Sequence, residues 1–205
     1  MDSIFDTSAQ HNQVRYKIIA GLDRVSQALR SMMWEHGKSL GLTPIQIQCL
    51  VFLKYHDAGK RRAGQLAKEL DVTPATISQA IRVLIKKDYL EKQPLADDAR
   101  IQIIELTSAG KAICAKVENW ANGLLPHLEQ LSPAEEQTIL SFLMGLISAL
   151  QQSGQITVAR QCNTCRFFRT GDSTSEKQAF YCKLLEQEMS TTDLRVDCAE
   201  HETVK

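Results

Sequence analysis

Four of the six cysteines in this 205-residue chain, Cys162, Cys165, Cys182 and Cys198, crowd its last part. Cys162-Asn163-Thr164-Cys165 is a C-x2-C knuckle whose sulfurs flank a tight turn and can grip one ion together. Cys182 follows after sixteen residues and Cys198 after fifteen more. Four thiolates suit a closed tetrahedral zinc site, and equally an iron–sulfur cluster; free or redox-active thiols are the third reading. His201, three residues after Cys198, is a spare ligand, and Arg166, Arg169, Lys183 and Arg195 can offset thiolate charge. Cys49 and Cys114 differ: each sits alone in an apolar helical pattern, so each reads as a buried, inert thiol. The N-terminal MDSIFDTSAQHNQ has acids where a signal peptide needs a basic start, so a cytoplasmic chain is expected. There a cysteine cluster signals metal or redox chemistry before structural disulfides.

A second constellation occupies residues 63–89, AGQLAKELDVTPATISQAIRVLIKKDY. The sequence predicts a short helix over Gly64 to Leu70, a turn at Asp71-Val72, and a second helix capped by Thr73 with Pro74 at its first position. Ile77, Ile81 and Leu84 make the apolar stripe of that helix, and Thr76, Ser78, Gln79 and Arg82 lie opposite. Such a face fits the major groove of a duplex. Gln and Arg can make paired hydrogen bonds to a base edge, Ser and Thr reach phosphates, and the helix N-terminus adds amide donors.

A β-hairpin is expected next. Tyr89 to Gln93 reads as a strand, Pro94 to Arg100 as a turn, and Ile101 to Leu106 as a β-branched return strand. An arginine at such a tip can enter a narrow minor groove, and Asp98 can hold the fork of Arg100 in place.

Mostly helical elements must position these groups. Ile18, Leu22, Val25, Leu29 and Met32 form one stripe on a long first helix. Thr43-Pro44-Ile45-Gln46 and Ser132-Pro133-Ala134-Glu135 each open a helix with a capping box, the second carrying Ile139, Leu143, Leu146, Ile147 and Leu150. Thr107 to Leu128 is helical in composition, with Pro126 near its end. The first helix and the last two exceed what a DNA-reading module needs, so part of their apolar surface is expected to pair with a second subunit. Trp34, His36 and Tyr55 could line a pocket but read first as helical core.

Apolar periodicity stops at residues 151–155, which divides the chain into 1–153 and 154–205. The second part has too little hydrophobic material for its own core, so a cross-link or a metal would have to supply the missing stability. No apolar stretch is long enough to span a bilayer. Net charge is zero, with 24 basic and 24 acidic residues, yet residues 59–111 hold ten Lys/Arg against seven Asp/Glu. That local excess is compatible with a surface facing phosphates.

In order and spacing, several pieces resemble MarR-type winged helix-turn-helix regulators. They are Leu42-Thr43-Pro44, Leu66-Ala67, Val72-Thr73-Pro74-Ala75-Thr76-Ile77-Ser78, Asp98-x-Arg100 and Leu106-Thr107-x-x-Gly110. The resemblance covers residues 11–152 and not the cysteine-rich tail. It implies a mainly α fold with a small β-wing, in which dimerisation helices flank the reading head. It further implies a non-enzymatic transcriptional regulator, a homodimer on a pseudo-palindromic operator in double-stranded DNA, open to a small-molecule effector. By position, Thr73, Ala75, Thr76, Ser78, Gln79 and Arg82 would contact DNA from the helix, and Arg100 from the wing. Gln102, Ile103 and Ile104 stand where further positive charge is common in this family, so phosphate-driven affinity should be modest. The expected cofactor at Cys162, Cys165, Cys182 and Cys198 is zinc, with an iron–sulfur cluster as the alternative. Its metal or redox state would couple to DNA binding. The rival readings are a thiol or iron–sulfur redox protein and an adaptor, each using the winged helix as scaffold. Neither gains support from a Gly-rich phosphate loop or an activated nucleophile in the sequence.

Overall fold

Local capping signals set most helix starts in the computed structural model, which describes residues 3–95, 98–171 and 180–203. Helix α1 (Thr7–Asn12) starts at Asp6, whose carboxylate accepts from Ser8 N at 2.9 Å, and the 25-residue α2 (Val14–Lys38) follows. Helix α3 (Pro44–Tyr55) opens where Gln46 Oε1 accepts from Thr43 N at 3.1 Å. Helix α4 (Ala63–Glu69) leads to α5 (Pro74–Lys86) through Asp71, whose φ of 48° lies in the left-handed region that Asp tolerates better than most residues. Thr73 Oγ1 caps α5 by accepting from Thr76 N at 3.2 Å.

Strands β1 (Leu90–Leu95) and β2 (Asp98–Leu106) pair antiparallel, Leu90 opposite Leu106 and Lys92 opposite Ile104, with a register shift at Pro94/Leu95. The wing strands are longer than the sequence predicts, so Asp98 and Arg100 stand on β2 rather than in the turn. Ala96 and Asp97 of the expected turn lie outside the described residues. Helix α6 (Ser108–Val117) is capped by Thr107, whose hydroxyl accepts from Gly110 N at 2.9 Å. The continuous helix expected from Thr107 to Leu128 is not formed. Asn119, Asn122 and Gly123 favour turns over helix, and Pro126 sits in the first turn of a separate short helix, α7 (Leu125–Leu128). Helix α8 (Pro133–Gln152) begins with the expected box: Ser132 N donates to Glu135 Oε2 at 2.8 Å.

One core joins these pieces. Ile47, Leu50 and Leu53 of α3, Leu66 of α4, Ile77, Ile81 and Leu84 of α5, Leu90, Ile104 and Leu106 of the wing, and Val117 of α6 are all buried. Each such side chain contributes roughly 1.5–3 kcal/mol, so α5 has one favoured seat and its polar face one direction. The departure from a basic wing has a packing reason: Ile103 and Ile104 are buried. The stripes of α2, α7 and α8 are left open, with Ile18, Val25, Leu125, Leu128, Ile139 and Phe142 exposed. Trp34 and Tyr55 are likewise surface residues rather than core. Tyr55 donates to Glu118 at 2.8 Å, and His36 Nε2 meets Lys116 O at 2.9 Å. Among the described residues no helix is long and apolar enough to cross a membrane.

After α8 come three short strands, β3 (Phe168–Thr170), β4 (Phe180–Cys182) and β5 (Gln187–Met189), paired antiparallel in that order. Their core is thin: buried Met144 of α8, Cys162 and Met189, with Phe168, Phe180 and Leu194 against them. Gln161 is fully buried and ties this part to α8, donating to Met144 O at 2.9 Å.

Where α6 passes the wing, no side chain fits. A Cβ on Gly110 would lie 1.9 Å from Tyr89 O and 2.9 Å from Tyr89 C, both backbone atoms. Gly110→Ala should therefore lower unfolding free energy by about 3 kcal/mol or more in urea denaturation. Gly64→Ala, in α4 with nothing within 4 Å of the new carbon, should not destabilise.

Candidate functional site

Helix α5 divides as its sequence demands. Ile77, Ala80, Ile81 and Leu84 are buried, while Thr73, Ala75, Thr76, Ser78, Gln79 and Arg82 are exposed. The exposed side chains are already organised. Thr73 and Thr76 share a hydroxyl–hydroxyl bond of 2.9 Å, and Arg82 Nη1 donates to Gln79 Oε1 at 3.0 Å. That bond leaves the Gln79 amide N–H groups and the remaining Arg82 donors facing outward, a set that can meet base acceptors. Beside them opens a groove lined by Ala63, Ser78, Ile81, Arg82, Ile85 and Lys92, which joins α5 to the wing.

On the wing, Arg100 Nε and Nη2 both donate to Asp98, each at 2.9 Å, and Asp98 Oδ1 also accepts from Arg100 N at 3.0 Å. The Arg100 side chain is 91% exposed and Asp98 30%. The Arg100 hydrogen bonds hold the Asp98 carboxyl below its ordinary pKa and raise that of the guanidinium. At such an exposed site the pair adds little stability. Its effect is orientation: the guanidinium is fixed through Nε and Nη2 on the Asp98 carboxylate, with Nη1 to spare.

The four tail cysteines meet around one cavity. Cys162 and Cys165 bracket a 3-10 turn (Cys162–Thr164), Cys182 ends β4, and Cys198 comes from the following loop. With Phe167, Phe168, Leu184, Leu185 and Met189 they surround about 410 Å³ of atom-free space, part of it open to solvent. Nitrogen donors aim at the sulfurs: Arg195 N at Cys162 Sγ (3.2 Å) and Arg195 Nη1 at Cys198 Sγ (3.7 Å). Burial raises the pKa of both thiols. Yet among the described residues no three His, Cys, Asp or Glu side chains are spaced to hold one ion. The sulfurs thus share a cavity without closing on a single point. His201 does not line it; its Nε2 bonds Thr164 Oγ1 at 3.0 Å.

One cluster has no signature in the sequence. Arg160, its side chain 9% exposed, forms an ion pair through Nη1 with Glu69, itself 5% exposed, and donates from Nε to Asp197 Oδ1 at 2.9 Å. Its Nη2 lies 2.7 Å from His56 Nε2. The same nitrogen lies 3.1 Å from Asp197 Oδ2, and His56 Nδ1 lies 2.9 Å from Phe52 O. Nearby, Thr157 N donates to Asp71 Oδ1 at 2.7 Å, and Lys60 Nζ to Ala199 O at 2.6 Å. No periodicity or spacing marks these partners in the sequence.

Comparison with known proteins follows this geometry. A profile of the MarR family matches residues 40–101. YhbI of Bacillus subtilis (strain 168), described as an uncharacterized HTH-type transcriptional regulator, is 31% identical over 70 residues, which is 34% of this chain and 46% of YhbI. Across the first curated relatives, the chain spans from about half to just under two thirds of their length. Two solved structures share the fold. The S. aureus MepR–DNA complex has a TM-score of 0.55 at 24% identity, covering 63% of this chain and 95% of that one. CouR from Rhodococcus jostii RHA1, bound to p-coumaroyl-CoA, has a TM-score of 0.56 at 14% identity, covering 71% and 95%.

The two isolated cysteines should be chemically silent. Burial pushes the Cys49 thiol up to about 12 and raises Cys114. At pH 8 the Cys49 thiolate fraction is then about one in 10⁴, growing tenfold per pH unit. Iodoacetamide on native, metal-stripped protein at pH 8 should label the tail cysteines first, and mass mapping that finds Cys49 labelled as fast would contradict its burial.

Proposed function

Because a profile of the MarR family matches residues 40–101, we propose that this chain is a DNA-binding transcriptional regulator acting as a homodimer on a pseudo-palindromic operator. The observation that carries this reading is the single polar face of α5, with Thr73, Ala75, Thr76, Ser78, Gln79 and Arg82 all exposed beside a wing whose exposed Arg100 is pinned to Asp98. Thr73, Ala75, Thr76 and Ser78 lie at the α5 N-terminus, where backbone amides and the helix dipole favour a phosphate. Gln79 and Arg82, further along, read base edges in the major groove, and Arg100 enters the flanking minor groove. The open stripes of α2, α7 and α8 suit a second copy of the chain, which would set two α5 helices about one duplex turn apart. A solved MepR–DNA complex of the same fold supports this reading. That CouR was solved with p-coumaroyl-CoA supports a small-molecule effector as a further partner.

The tail reading is that the cavity between Cys162, Cys165, Cys182 and Cys198 takes a thiolate-bound metal, whose presence is coupled to DNA binding. Zinc is the simplest occupant of four thiolates. That the four cysteines line one cavity without three ligand side chains, among the described residues, spaced for a single ion favours the second reading, an iron–sulfur cluster, whose four sulfur ligands sit wider apart. Metal analysis with a visible spectrum on anaerobically prepared protein separates the two: absorbance near 400 nm marks the cluster (roughly where thiolate-to-iron transitions fall), and a colourless zinc-loaded protein marks the staple.

Anisotropy titrations against the duplex upstream of the chain's own gene test the DNA reading. Gln79→Ala should lower affinity for that duplex by about 5- to 150-fold and relax discrimination at one base pair, as loss of a paired base contact does. Arg100→Ala should weaken all duplexes alike and reduce the salt slope by about one. A protein that sediments as a monomer and binds the duplex no worse after both substitutions would instead fit the redox-protein or adaptor reading.

A further inference from the structure

We propose that residues 157–162 are a relay that reports the filling of the four-cysteine cavity to the turn between α4 and α5; this rests on the reading that the cavity takes a metal. Toward the reading head, the segment makes two contacts on that turn: Thr157 N to Asp71 Oδ1 at 2.7 Å, and the ion pair of Arg160 with Glu69. Glu69 is the last residue of α4, and Asp71 is the left-handed residue that turns the chain toward the Thr73 cap of α5. Toward the cavity, the same segment is held by the loop that carries Cys198. Cys198 N donates to Arg160 O at 2.9 Å, Asp197 accepts from Arg160 Nε, and Cys162 N donates to Arg195 O at 3.1 Å. Arg160 is thus fixed by its backbone at one end and its side chain at the other.

What fixes the Cys198 loop is the question the cavity answers. The apolar core beneath it consists of Met144, Cys162 and Met189, too little to order the tail alone. Tying four sulfurs to one metal group joins the 3-10 turn, β4 and the Cys198 loop, and metal binding then supplies folding free energy. When the cavity empties, the loop loosens and Asp197 no longer steadies Arg160. Glu69 then loses its cationic partner and keeps only the Gln65 amide, 2.7 Å away, which does not compensate a buried carboxylate. The end of α4 must open to water, releasing the turn that aims α5. A pre-ordered reading head has less freedom to lose on the duplex, so the filled form is the tighter binder.

The test compares full-length protein loaded with zinc, or reconstituted with iron and sulfide, against the same protein stripped by chelator under reducing conditions. Metal content is measured beside affinity for the upstream duplex. Wild type should bind about 5- to 150-fold more tightly when filled, the usual range of a coupling between two sites. Arg160→Met with Glu69→Gln removes both buried charges together. This variant should take up as much metal as wild type while its filled-to-stripped ratio falls to within about twofold of one. Asp71→Gly keeps the left-handed turn and deletes only the Thr157 contact, so it decides the matter if the double variant does not fold, and should lower the ratio at full metal content. Wild-type ratios in these folded variants overturn the relay. So does a wild-type protein that binds metal with equal DNA affinity in both forms, which leaves the cavity reading standing. A protein that takes up neither zinc nor iron overturns the cavity reading and the relay with it.

Discussion

A guanidinium cannot be left in a protein interior without compensation, and the placing of Arg160 shows how that constraint organises this chain. Its charge is met by Glu69 from α4 and by Asp197 from the tail, its planar face lies 5.6 Å from the Phe52 ring, and His56 Nε2 lies 2.7 Å from its Nη2. Desolvating these groups costs several kcal/mol per ion, recovered only when every partner is in place. An apolar plug of equal volume would hold the two surfaces as firmly but would tolerate sliding. The ionic arrangement tolerates one register and fails as a unit, which suits a joint between α4 and the tail better than it suits a core.

The reading head depends on ordinary packing, and there the sequence was a good guide. Caps at Thr73, Thr107 and Ser132 and the stripe Ile77, Ile81, Leu84 act within one or two helical turns, so spacing alone exposes them. The misread helix after Thr107 shows the limit of the method: apolar composition averaged over twenty residues hides Asn119, Asn122 and Gly123, each of which releases the chain from helix. The Arg160 cluster was illegible for a different reason. Arg160 and Glu69 are 91 positions apart, and a long-range ion pair leaves no period and no spacing. For the cysteines, convergence on one cavity was legible from their number and placement. The distances between sulfurs were not, because they depend on how the 3-10 turn and the Cys198 loop sit on α8.

Overall neutrality sits comfortably beside a duplex-reading face, since local placement matters more than totals. On α5 and the wing the exposed cations are Arg82, Lys86, Lys92 and Arg100, of which Arg82 and Lys92 line the groove between the two elements. The wing strand adds none at Ile103 and Ile104 because both side chains are buried. On the DNA-binding reading proposed above, recognition by this surface would lean on placed hydrogen bonds more than on counterion release.

Three consecutive residues explain why the tail works as a brace rather than a pendant domain. Arg160 reaches α4, Gln161 donates to Met144 O and Ser148 Oγ of α8, and Cys162 faces the cysteine cavity. A backbone committed to three surfaces in three successive positions has little freedom, so the reading head, the helix with the open apolar stripe and the cavity are held in one geometry. Any motion of the cavity wall is then felt at both the α4–α5 turn and α8. If α8 pairs with a second copy, the same three residues sit between the spacing of two reading heads and the aim of each. A dimeric reader of spaced half-sites depends on those two quantities most.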